Sequence, residues 1–236
     1  MSDSPAAVHS HDGLHNPGLL HHFATEEQQR DASNFGMWIF LATEVMFFGG
    51  LFCAYLIYRR WYFGDFGAAS KSIDATLGAT NTAVLICSSL TVVLAIWAAQ
   101  TARRTLLIAM LILTMVFGLA FLGIKGVEYK DKFEERHVPG ASFSFDHVPI
   151  PGHSDQFANP QHAQIFFALY FIMTGLHALH MIIGLGIFTW LLIMAWKGRF
   201  TPHYHTPLEI GGLYWHFVDI VWIYLFPLLY LIDRHP

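Results

Sequence analysis

"FGMWIFLATEVMFFGGLFCAYLIY", residues 35–58, decides the fold. It holds a single charge, Glu44. As a helix rising 1.5 Å per residue it reaches about 36 Å, enough to cross roughly 30 Å of bilayer hydrocarbon. Arg59 and Arg60 follow immediately, a basic pair at the membrane edge. Four further stretches meet the same length requirement, at about 78–99, 105–124, 165–196 and 212–232. The chain therefore reads as an all-α, polytopic membrane helix bundle with five transmembrane helices.

Composition agrees. Of the 236 residues, 54% are hydrophobic and 13% charged, with a mean hydropathy of +0.43. Soluble domains carry about 25% charged residues. The net charge of −4 comes with no basic face, which argues against a nucleic-acid partner. Cys53 and Cys87 both sit in apolar runs, so neither a disulfide framework nor a Cys-based metal site is indicated. No apolar h-region of a cleavable signal peptide precedes the first span.

Two regions read as lying outside the membrane. Residues 1–34 form a polar tail with five of the 15 histidines, His9, His11, His15, His21 and His22. Such a tail can bind metal, but a solvated arm is the better reading. Residues 125–164 form a polar connection that starts as a charged helical extension and becomes a Pro/Gly-rich loop, long enough to cover a partner. The turn "AQTARRT" is so short that the second and third spans must be antiparallel neighbours. Pro227 should bend the last span. The Lys/Arg tally, five against eight, leans towards an outside N-terminus.

Glu44 is the first candidate for chemistry. An ionisable side chain inside the membrane marks a proton path, an ion site or a ligand pocket by default, and hydrocarbon favours its protonated form. Its helical neighbours Met37, Phe40, Leu41, Phe47, Phe48 and Leu51 are apolar, and Gly49 and Gly50 allow close approach of a helix or lipid. The plainer reading is a protonated carboxyl bonded to an adjacent helix for packing alone. His177 and His180 share a face of the fourth span; His216 and Asp219 share one on the fifth. A histidine of one helix bonded to Asp219 of the other would contribute about 0.6 to 2 kcal/mol. The alternative is haem ligation by His177 or His180 with His216. Lys197 and Arg199, followed by His203 and His205, crowd the end of the fourth span, suited to anionic lipid head groups or simple snorkelling. No Ser/His/Asp nucleophile, phosphate loop or CxxC is present, so no catalytic centre is evident in the chain.

Three motifs then agree on a family. "FLATEVMFFGGLFCAY" (40–55), "TGLHALHMIIGL" (174–185) and "YWHFVDIVWIYLFPLLYL" (214–231) resemble subunit III of haem-copper oxidases, the cytochrome c oxidase type. "GVEYKDKF" (126–133) resembles the family at the matching place after the third span. The likeness covers roughly residues 34–236 and points to the five-helix bacterial form that lacks the first two helices of seven-helix members.

The resemblance implies an accessory subunit with no haem or copper of its own, packed against subunit I, with subunit II in the same complex. It leaves room for a respiratory supercomplex. It equates Glu44 with a carbodiimide-reactive carboxylate in a lipid-filled cleft near the proton-uptake side of subunit I. Lys197 and Arg199 match basic contacts to phospholipid head groups, and His177, His180, His216 and Asp219 match positions that hold helices together. It places the tail on the cytoplasmic side of a bacterial inner membrane, against the charge tally, and whole-segment matches outweigh that tally. Quinol oxidase and nitric-oxide-reductase accessory subunits belong to the same family; a haem-b anchor or an ion transporter built on Glu44 would be different classes.

Overall fold

The computed structural model describes residues 25–140, 143–145, 148–151, 153–202 and 204–231. The histidine-rich stretch 1–24, His203 and Arg234 lie outside the described residues. The elements are α1 (Glu26–Trp61), α2 (Phe63–Lys71), α3 (Ala75–Gln100), α4 (Arg104–Glu134), β1 (Pro149–Ile150), β2 (His153–Phe157), α5 (Pro160–Trp196) and α6 (Thr206–Tyr230). All but α2 among the helices are long and apolar enough to cross a membrane.

Three of the helices, α1, α3 and α5, begin at a capping side chain. Thr25 accepts a hydrogen bond from the Gln28 amide at 3.1 Å, so α1 starts well before residue 35 and takes up the end of the expected tail. Thr25 followed three residues later by Gln28 is the capping-box pattern. Asp74 caps α3 through the Thr76 amide at 2.7 Å. Asn159 caps α5 through the Gln161 amide at 2.9 Å, with Pro160 in the first turn. The long polar connection is shorter than its composition suggests, because α4 runs to Glu134 and α5 starts at Pro160. Between them lies a two-stranded antiparallel ribbon, β1 with β2, the one departure from an all-helical chain among the described residues.

α6 is the hub. Over its apolar window 56% of residues are buried, against 17% for α1. α3 and α4 pack as the antiparallel pair that their short turn dictates, with Ala102 at φ 55° inside that turn. Trp215 of α6 reaches three neighbours at once. Its Nε1 donates to Ser88 Oγ on α3 at 3.0 Å. A Cβ on Gly118 of α4 would stand 2.9 Å from its ring, and one on Gly184 of α5 3.0 Å. The indole is slotted between two glycines, and this sets how closely α4 and α5 approach α6. At the other end of α6, Tyr55 and Ser70 donate to the carbonyls of Leu228 and Leu229 at 2.5 and 2.8 Å. Helix ends in hydrocarbon need such donors, since lipid supplies none. α1 packs only on α2, α5 and α6 among the described elements, which leaves Phe35, Trp38, Val45, Met46 and Trp61 facing outwards.

Candidate functional site

Glu44 projects from α1 towards α5. Its Oε2 lies 3.3 Å from His180 Nε2, with the two side chains 19% and 13% exposed. The imidazole is fixed from both sides. Its Nδ1 sits 2.8 Å from the Leu176 carbonyl, which can only accept, so Nδ1 carries a proton and Nε2 is the nitrogen left for Glu44. Phe48 packs edge-on to the ring at 5.4 Å, and the Tyr214 hydroxyl donates to the His180 carbonyl at 3.0 Å. In its uncharged form the pair holds one shared proton, either on the carboxyl or as an ion pair.

The wall made by α1, α5 and α6 continues from Tyr214 into a cleft of about 700 Å3. Its lining is polar at Glu27, Arg30, Ser33 and Tyr204 and apolar at Met37, Ile187, Trp190 and Ile210. Polar groups beside an apolar surface suit an amphiphile. Lys197 and Arg199 are exposed where α5 ends, and neither lines the cleft. The end of α5 is instead covered by Arg104, whose guanidinium donates to the carbonyls of Ala195, at 3.2 Å, and Trp196.

The expected bond between a histidine of the fourth span and Asp219 does not form. His180 meets Glu44. His177, 1% exposed, is enclosed by Phe121 and Trp222 at ring distances of 5.3 and 5.2 Å, with both ring nitrogens lacking a hydrogen bond among the described residues. His216 Nδ1 pairs with Ser89 Oγ at 2.8 Å, and Asp219 is buried beside it with neither oxygen in hydrogen-bond geometry. The physical reason is rotational. Residues three apart on a helix differ by about 60° in direction, so His177 turns inwards where His180 reaches α1.

Sequence reasoning missed a second polar cluster. Lys125 and Glu128 of α4 form a buried ion pair at 3.1 Å, with side chains 4% and 2% exposed. Lys125 Nζ also donates to the Tyr170 and Tyr230 hydroxyls at 3.1 and 2.8 Å. Both hydroxyls donate to Glu128 Oε1 at 2.6 Å. The ammonium lies 5.0 to 5.5 Å from the ring centres of Tyr129, Tyr170, Trp222 and Tyr230. Close by, Lys132 donates to the Ser72 carbonyl at 2.7 Å. The i, i+3 spacing of Lys125 and Glu128 was the available signal, but it reads equally well as a solvated helix surface.

Known proteins agree with this architecture. The family model for cytochrome c oxidase subunit III matches residues 20–143 and 158–233. The chain belongs to that family. Among its relatives, a probable cytochrome c oxidase subunit 3 of Nocardia farcinica is 32% identical over 197 residues, covering 84% of this chain and 86% of the relative. The cytochrome bo(3) ubiquinol oxidase subunit 3 of Pseudomonas aeruginosa is 27% identical over 232 residues, covering 98% and 94%. Cytochrome c oxidase subunit 3 of Gallus gallus is 29% identical, covering 89% and 72%. As a subunit III with five apolar spans, the protein is a multi-pass membrane protein. All the motifs that carry the resemblance fall within the matched segments, Glu44, His177, His180, His216 and Asp219 included.

Proposed function

We propose that this chain is the accessory subunit III of a proton-pumping haem-copper terminal oxidase in a bacterial plasma membrane. Haem and copper reside in its partners, subunits I and II, and the chain itself carries no redox centre. Its task is to support proton uptake and to keep subunit I active through sustained turnover. The observation that carries this reading is the Glu44–His180 pair beside a cleft open towards the end of α1. While it holds the shared proton the pair is net neutral in hydrocarbon; giving the proton up leaves a carboxylate whose cost there favours its prompt recovery. A phospholipid in the cleft, with its head group at Arg30, would seal the route from bulk lipid. Lys197 and Arg199 serve further head groups along the same edge.

The test is mild-detergent purification through a tag on this chain, with a reduced-minus-oxidised spectrum. An a-type or o-type haem signal that tracks a large co-purifying subunit, and vanishes from the isolated chain, is expected. A b-type signal that stays with the isolated chain would overturn the reading. In the intact complex, Glu44→Gln keeps a hydrogen bond to His180 but removes the acid. We expect initial O2 reduction nearly intact and a shorter active lifetime under continuous turnover. Loss of initial O2 reduction to background would count against the accessory role. The relatives' names divide between cytochrome c and quinol as electron donor, and a donor assay on the same preparation separates them.

A further inference from the structure

The second concave face of the molecule lies between α3 and α6, a groove of about 380 Å3. One wall is Ile86, Leu90 and Val93 of α3, and the other Ile220 and Ile223 of α6. These positions recur every three or four residues, so the α3 wall is a helix ridge about two turns long and the α6 wall a shorter one of about one turn. Ile86, Leu90, Ile220 and Ile223 are 45 to 60% exposed. Deeper in the groove stand Leu85 and three polar side chains, Ser89, His216 and Asp219. Ser89 Oγ holds His216 Nδ1 at 2.8 Å, with Asp219 buried beside them. Nε2 of His216 has no hydrogen-bond partner among the described residues, and it is not one of the sealed buried atoms.

A half-exposed imidazole nitrogen facing acyl chains forfeits a hydrogen bond that lipid tails cannot replace. The helical spacing of the walls suits a helix ridge. We propose that this groove seats a transmembrane helix of a neighbouring subunit, with a hydroxyl or amide side chain of that helix bonded to His216 Nε2. The neighbour's being an oxidase subunit rests on the function proposed above; the helix-in-groove contact does not. Ser89 is a positioning residue here. By occupying Nδ1 it fixes the ring so that Nε2 points outwards, and its small side chain lets the incoming backbone approach closely.

A photo-crosslinking p-benzoyl-phenylalanine in place of Ile220, in the intact complex, tests this against the same probe in place of Leu119. Leu119 is 58% exposed on α4. The expected result is capture at position 220 of one membrane-spanning segment of a subunit that survives purification, and little capture at 119. Adducts with lipid or detergent only, or equal capture at both positions, would overturn the proposal. Adding His216→Phe to the probe at 220 should lower capture by roughly three- to fifteen-fold, the worth of one interhelical hydrogen bond. Ser89→Ala, a milder change, should lower it less. Unchanged capture in both overturns the anchor. The haem spectrum of the same preparation separates the two readings. A captured helix without haem counts against the oxidase, and haem without a captured helix counts against the groove.

Discussion

At the scale of single residues, the interior keeps some ionisable groups by giving them partners from other helices, while His177 and Asp219 have none in hydrogen-bond geometry among the described residues. Lys125 and Glu128 illustrate the first case, since the tyrosines that complete their cluster come from α5 and α6. Removing one member strands the other, which typically costs 3–5 kcal/mol for a buried pair. Lys125→Met should therefore lower the thermal stability of the purified complex markedly, and Lys125→Met with Glu128→Gln should recover much of it. Equal losses in the single and double variants would show that the cluster does not act as a unit. His137 lies outside the spans, 3.0 Å from Glu135 and against the rings of Phe145 and Phe167. Burial and then the Lys132 ammonium hold its pKa below the ordinary 6.5, against the pull of Glu135. The unfolded chain therefore binds this proton more readily than the folded one, so stability falls as pH drops through and below about 6.5. His137→Gln should flatten that acid limb in melting curves between pH 7.5 and 5. A limb of undiminished slope would assign the loss to other groups.

At the scale of elements, hydrocarbon thickness explains what could be read without coordinates. A span must be a long apolar run, so all five were visible, and Glu44 stood out because nothing else in its run is charged. Its partner was not visible, because His180 belongs to a distant helix and only the rotation of α5 separates it from His177. The end of α4 was legible as a charged helical extension, but its burial was not. Its charges look solvated until Tyr170 and Tyr230 close over them. Small residues were equally silent: Gly118 and Gly184 carry no pattern, yet they admit Trp215. Gly184→Val puts carbon where the indole lies, and overpacking of this kind costs about 1–3 kcal/mol. The expected outcome is a lower melting temperature with a shifted Trp fluorescence spectrum. An unchanged spectrum would mean that α5 simply moves aside.

For the whole molecule, the helices form a packed block of α3 to α6 with α1 leaning on one side. A cleft beyond Glu44 lies beside α1, and a separate groove lies between α3 and α6. Local opening follows contact density, so α1 should exchange its amide hydrogens fastest of the five spans in detergent. Hydrogen exchange read by mass spectrometry checks this, and slower exchange in α1 than in α6 would contradict the arrangement. Function was legible at this scale only through whole motifs. The groups themselves, one carboxyl against one imidazole, are chemistry that many membrane bundles share.

The reach of α1 across the sequence also dictates an order of events at the ribosome. It leaves well before the membrane-spanning helices it packs on, α5 and α6, which begin at Pro160 and Thr206. At bacterial or eukaryotic elongation rates the interval from Trp61 to Pro160 lasts on the order of 5–20 s. Throughout that wait α1 must persist in the bilayer as a solitary helix, with Glu44 still lacking its imidazole. Its outward-facing Trp, Phe, Val and Met side chains are thus as much a requirement of synthesis as of the finished subunit.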